Sequence, residues 1–274
     1  MADTRSQLLG QQRDWAAKRE IGVDSSGYTK DFDANLFQPL HPETMADFRR
    51  GDGDELGRKM RALHSSSALV VNIFDYWRGR PMDWLVDALS LGSEPSSVRF
   101  EVQFRTGLRG NPPNLDLAFA LADGRTVAVE SKFTETYARA SHSEPFKPKY
   151  FPNGKRLWHD RGLPRCEELA GRLYRGERPF RYLNAAQLLK HALGLAQPSV
   201  GEFSLFYLWY DFPSDEATQH GREVEEFADA IGSELDFHAL TYQNLFPSAL
   251  RDIGADHAAY MQYLHERYFP TVPA

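Results

Sequence analysis

Residues 114–135 read NLDLAFALADGRTVAVESKFTE. Two alternating runs flank an Asp-Gly pair. In the first, Leu115, Leu117, Phe119 and Leu121 point one way, and Asp116, Ala118 and Ala120 the other. In the second, Val127, Val129 and Phe133 oppose Ala128, Glu130 and Lys132. Period-two patterning of this kind marks half-buried strands. A two-residue turn at Asp123-Gly124 would pair Asp116 with Ser131 and mix the faces. A three-residue turn, Ala122-Asp123-Gly124, pairs Leu117 with Val129 and Asp116 with Glu130, and keeps each face uniform. Gly124 suits the left-handed residue that closes such a turn. A one-residue slip flips every side chain of a strand to the other face, so the pattern selects the three-residue turn.

On this register one face is core. The other carries Asp116, Glu130 and Lys132 among small alanines. Two neighbouring carboxylates repel, and a divalent cation relieves the conflict. Oxygen-only donors favour a hard ion, Mg²⁺ or Mn²⁺. Such an ion polarises phosphorus and lowers the pKa of bound water, while Lys132 beside it would orient the water and neutralise phosphate. Glu-x-Lys alone carries little weight, since it arises by chance roughly once in a chain of this length. Its place on paired strands opposite an aspartate is what points to chemistry. A salt bridge across a hairpin is the competing explanation.

The segment resembles the PD-(D/E)XK nuclease superfamily, and its VAVESKFTE phrase is similar to that of a subgroup of restriction endonucleases. Asp116, Glu130 and Lys132 fall on that superfamily's motif positions. Leu115 stands where the motif has proline, with Pro112 and Pro113 just upstream. The resemblance covers about residues 55–212. It implies an α/β fold with a restriction-endonuclease-like core, a central mixed β-sheet flanked by helices. It further implies an endonuclease using Mg²⁺ or Mn²⁺ held by Asp116, Glu130 and the Ser131 carbonyl, with DNA as partner. Polar residues on the flanking helices of such nucleases give Asn72 and Gln187 as accessory candidates. Glu101 is a third, as an outer metal ligand or an edge-strand charge.

The chain has 274 residues, a formal charge of −6, one cysteine and 42% hydrophobic residues. That is enough for a sizeable core. Cys166 alone excludes an intrachain disulfide, and no paired histidine spacing suggests zinc. No apolar run is long enough for a membrane span and no signal region is evident, so a cytoplasmic protein is expected. Residues 139–190 hold twelve Lys and Arg against five acids, +7 locally and −13 elsewhere. Phe146, Tyr150, Phe151, Trp158, Tyr174, Phe180 and Tyr182 interleave with them. Basic residues mixed with aromatics suit phosphate contacts and base stacking. Arg109, Lys147, Lys149, Lys155 and Arg156 are the expected nucleic-acid contacts.

Along the chain, residues 1–53 read as a helix over 5–20 and then extended loop. Residues 54–274 read as the nuclease-like domain, with a basic insertion at 138–181 and extra helical segments at both chain ends. One long helix is expected from Asp54 to Phe74, with Glu55 and Lys59 as a surface pair. A shorter helix over 81–91 follows. VRFEVQFR (98–105) is the first strand. Residues 182–196 are an amphipathic helix with Asn184, Gln187 and His191 away from its core side. FSLFYLWY (203–210) is a buried strand, 215–231 a helix capped by Ser214, 236–242 a strand and 255–268 a closing helix. Asp256 and His257 have no recognisable partner. His159 and Cys166 do not make a convincing thiol pair, and no Walker, G-x-S-x-G or H-E-x-x-H motif is present. The expected activity is metal-dependent endonuclease. Rival readings are a non-catalytic nucleic-acid-binding protein on the same fold, or an interaction domain whose acids only form a salt bridge. Oligomeric state stays open, a homodimer included.

Overall fold

The computed structural model describes residues 3–51, 53–138, 145–177, 180–252 and 254–270. Its centre is a five-stranded mixed sheet in the order β1-β2-β3-β4-β5. The strands are β1 Pro95–Gln103, β2 Asn114–Leu121, β3 Thr126–Lys132, β4 Phe203–Trp209 and β5 Phe237–Thr241. β1, β2 and β3 run antiparallel, and β3, β4 and β5 run parallel.

The hairpin forms as its pattern dictates. Leu117 pairs with Val129, Ala118 with Ala128 and Phe119 with Val127. Leu121 N–H donates to Arg125 carbonyl, enclosing the three-residue turn, and Gly124 has φ +90°. Leu115, Leu117, Phe119, Leu121, Val127 and Val129 are buried. FSLFYLW is shielded on both sides, which is why its run is continuous rather than alternating.

The helices are α1 Thr4–Lys18, α2 Pro42–Arg50, α3 Ser66–Phe74, α4 Asp83–Ala88, α5 Pro164–Tyr174, α6 Ala185–Leu195, α7 Asp215–Ile231, α8 Tyr242–Asp252 and α9 Ala258–Tyr268. Ser214 caps α7 through Ala217 N–H, as the sequence indicates. Several expectations are corrected. The segment 21–53 is not loop throughout, because α2 forms there and packs on β1, where Asp47 accepts from Phe100 N–H at 3.0 Å. The single helix over 54–74 is replaced by turns, a 3₁₀ turn at Lys59–Arg61, and α3. Asn35 draws the Met60 and Ala62 carbonyls outward, at 2.7 and 2.8 Å, and Ser65 starts α3 by capping Ala68 N–H. α4 is shorter than the expected 81–91 helix. His257 has partners after all: Tyr76 hydroxyl lies 2.7 Å from its Nδ1, and its ring packs against Trp77.

Buried Arg267 ties the two ends of the chain together. It donates to Gln12 Oε1, the Asn35 carbonyl and the Tyr263 hydroxyl, and lies between the Trp15 and Tyr268 rings. Within the insertion, Trp158 is fully buried and Phe146, Tyr150 and Phe180 nearly so. Phe146, Tyr150 and Trp158 pack on one another as a small core and Phe180 packs on Phe227, so the expectation of a base-stacking surface is overturned for them. Tyr174, stacked on Phe151, is the exposed one. Arg139, Glu144 and Arg178 of the charge count lie outside the described residues.

Candidate active site

Three carboxylates line up across the sheet. Phe100–Leu117 and Val102–Leu115 are paired residues of β1 and β2, so Glu101 stands in register with Asp116. One step beyond Leu117–Val129, Asp116 stands in register with Glu130. The row opens into a cleft of about 880 Å³, lined among others by Glu55, Lys59, Glu101, Asp116, Glu130 and Lys132. That volume is in the range of substrate-binding clefts.

Local backbone shapes the row. At its end the hairpin ladder gives way, and Asp116 Oδ2 accepts from Ser131 N–H at 2.7 Å. Glu101 has φ +50°, a left-handed conformation unfavourable for a residue with a Cβ. Such strain tends to mark functional positions. Glu101 is buried, and its carboxylate accepts from Asn114 Nδ2 at 2.6 Å. It is therefore not the solvated edge charge that one reading of VRFEVQFR allowed.

Each charge is set by its neighbours. Burial, then the Glu130 charge, raises Asp116 well above the usual carboxylate range. Burial and Glu55 push Glu101 up to about 7. Burial works to raise Glu130 as well, but Lys132 and His191 outweigh it and hold Glu130 down at about 2. Burial works to lower Lys132, and Glu130 and Asp116 overcome it, so the ammonium is kept charged. Lys132 Nζ donates to Glu130 Oε1.

Of the accessory candidates, Gln187 lines the cleft. Asn72 does not: its side chain accepts from Phe37 N–H and donates to Asn35 carbonyl and Tyr268 hydroxyl, a structural role. Arg109 is exposed on the β1–β2 loop, and its carbonyl accepts from Lys149 Nζ. Lys147, Lys155 and Arg156 are exposed and, with Lys149, carry no ion pair among the described residues. Arg161 is removed from the basic surface, because it donates to the Leu193 and Thr106 carbonyls.

Sequence reasoning missed two residues of the cleft region. Glu55 is 5% exposed, not a surface residue. Its Oε2 accepts from Ser67 hydroxyl at 2.7 Å and its Oε1 from Lys59 at 2.6 Å. His191 is buried too, with Nε2 2.9 Å from Glu130 Oε2. The signal for Glu55 was the polar Ser67 in an apolar run. For His191 it was a histidine one turn beyond Gln187.

The family resemblance implies a divalent cation. Among the described residues, no group of three or more His, Cys, Asp or Glu side chains is arranged to hold a metal. The donors available are therefore two carboxylates and main-chain oxygen. They fit a hard cation: the donors are all oxygen, and the Asp116 charge is opposed by burial and by Glu130 beside it, a conflict that a cation between them would relieve. Ser131 N–H faces Asp116, and in an extended strand a residue's carbonyl leaves the chain on the same side as its N–H.

The chain belongs to the family described as restriction endonuclease associating with ARP, whose sequence model matches residues 16–269. The match extends well beyond the 55–212 stretch that carries the motif, taking in α2 and α9. No curated protein and no solved structure matches the chain. Among the described residues no helix is long and apolar enough to cross a membrane.

Proposed function

We propose, with that family membership as the premise, that the chain is a divalent-metal-dependent endonuclease that hydrolyses phosphodiester bonds in DNA. The observation that carries this reading is the row Glu101, Asp116 and Glu130 beside Lys132 in one cleft. Asp116, Glu130 and the Ser131 carbonyl would hold Mg²⁺ or Mn²⁺, with Glu101 at the margin. When bound, the ion supplies charge stabilisation at phosphorus and a more acidic water.

The chain's own residues do the rest. Lys132, kept charged, is placed to turn from Glu130 Oε1 to the attacking water and the scissile phosphate. Gln187, at the cleft wall, is placed to contact the substrate backbone. One turn later on α6, Lys190 lies over the Phe146 and Tyr150 rings, 5.1 and 5.6 Å from their centroids. Burial, then the charges of Lys147 and Lys149, lowers the pKa of Lys190. A cluster of ammonium groups around Lys190, on the helix that carries Gln187, suits a phosphate backbone. The acidic remainder of the surface would direct DNA towards this side.

The test is incubation of purified protein with supercoiled and linear DNA in Mg²⁺, Mn²⁺ or EDTA. Nicking or cutting in metal, absent in EDTA and in Glu130→Gln, is the expected result. Tight DNA binding with no cutting in any metal would favour a non-catalytic binding protein.

A further inference from the structure

We propose that His191 is the positioning residue of Glu130: its imidazole fixes the carboxylate from behind so that Glu130 faces Asp116. The inference rests on the reading of Asp116 and Glu130 as cation ligands. His191 lies on α6, whose other buried residues are all apolar, Leu188, Leu189, Ala192 and Leu193 among them. Its side chain is 1% exposed. For packing alone, a leucine would serve at this point.

Instead a nitrogen stands 2.9 Å from Glu130 Oε2. Neither atom has a hydrogen-bond partner, and the contact lacks hydrogen-bonding alignment. Two buried polar atoms without partners are costly unless a small turn of ring or carboxylate satisfies them. The two Glu130 oxygens thus have different neighbours, Lys132 at Oε1 and His191 at Oε2. Lys132 has to leave Oε1 to act on water and phosphate. His191, locked in the helix, is the contact that stays. Partners of this kind behind a ligand set its orientation, and their loss weakens metal binding by about 10–100-fold.

Two measurements test this, one of them without metal. The first is Mn²⁺ titration calorimetry on wild type, His191→Phe and His191→Gln. The phenylalanine fills the space without a donor, and the glutamine restores an N–H. Mn²⁺ affinity should fall at least about tenfold in His191→Phe and recover most of the way in His191→Gln. The second is a thermal-unfolding cycle in EDTA with His191→Phe, Glu130→Gln and the double variant. The two substitutions should be non-additive. Unchanged Mn²⁺ affinity in His191→Phe, or additive shifts in the cycle, would overturn the proposal. Glutamine no better than phenylalanine would also overturn it. Wild type that takes up no Mn²⁺ would sink the metal reading of the site, and the cycle in EDTA would then decide the His191–Glu130 contact by itself.

Discussion

The Asp116 carboxylate accepts the Ser131 N–H at 2.7 Å, so a side chain makes the contact where the β2–β3 backbone ladder has ended. The contact turns Asp116 towards the strand bearing Glu130 and Lys132. It also holds a half-buried acid where its charge is disfavoured. A folded-state pKa above the ordinary 3.8 means that the folded protein binds more protons than the unfolded chain. Stability from this group is present at low pH and is lost as pH rises from 3.8 through the raised value.

Asp116→Asn should therefore raise the unfolding temperature at pH 7 in EDTA. The amide oxygen still accepts from Ser131, and the repulsion with Glu130 is gone. A gain of ~1 kcal/mol corresponds to about 2–4 °C in a chain of this size. Cleavage should disappear together with Mn²⁺ binding. Differential scanning calorimetry checks the first point and titration calorimetry the second. A less stable variant that still binds Mn²⁺ would reject the assignment.

Lys132→Gln separates chemistry from architecture. It keeps a donor for Glu130 and removes the charge. Mn²⁺ binding should persist, because the ammonium acts on water and phosphate rather than on the ion. Cutting should fall by about 10²-fold or more, as when one transition-state donor is removed. Plasmid cleavage and calorimetry on the same preparation give both numbers. Wild-type cutting would exclude Lys132 from the reaction. If Lys132→Ala lost both the fold and metal binding, a purely structural salt bridge would be favoured.

The hairpin was legible because burial acts on each of its residues in turn. Leu115, Leu117, Phe119, Leu121, Val127 and Val129 leave one register that buries them all. The row of Asp116 and Glu130 follows directly. Glu101 was half legible: its strand was clear, but the left-handed backbone that turns its carboxylate inward has no sequence mark outside glycine. The segment 54–65 misled because its apolar spacing suits a helix. Asn35, far back in the chain, competes for the Met60 and Ala62 carbonyls instead. His191 and Glu55 were hidden for a related reason. Their partners, Glu130 and Ser67, come to them only through tertiary packing.

Acid should destabilise the protein partly through His220. This histidine is fully buried, with Tyr207 hydroxyl 3.0 Å from its Nε2. Burial, then the Lys132 charge, lowers its pKa from 6.5 to about 3. Above pH 6.5 it contributes no pH dependence. Below that, the unfolded chain takes up a proton that the folded protein refuses, so stability falls as pH drops from 6.5 towards 3. The slope from one such group is at most ~1.4 kcal/mol per pH unit. His220→Gln keeps a partner for Tyr207 and should flatten the decline. Urea unfolding at pH 7.0, 6.0 and 5.0 measures it. Parallel declines in the two proteins would show that other groups govern acid sensitivity.

The basic side of the insertion should hold DNA without taking part in metal binding. Lys147, Lys155 and Arg156 are exposed, and with Lys149 they carry no ion pair among the described residues. They belong to a stretch of local charge +7 on a chain of −6. Lys149 lies over Tyr150, 5.4 Å from its ring centroid, and Tyr150 is packed with Phe146 and Trp158 instead of being offered to bases. Binding through this patch is therefore expected to be electrostatic, with a steep dependence on salt. Each phosphate contact contributes about −0.9 to the slope of log affinity against log salt on duplex DNA. Replacing Lys147, Lys149, Lys155 and Arg156 together by glutamine should flatten the slope by up to about 3.6 and weaken binding at low salt. Mn²⁺ affinity should not change, because none of the four touches Asp116 or Glu130. The measurement is a salt titration of fluorescent duplex in Ca²⁺, where binding without turnover is expected. An unaltered slope would mean that the patch is a solvated surface and that DNA reaches the cleft by another route.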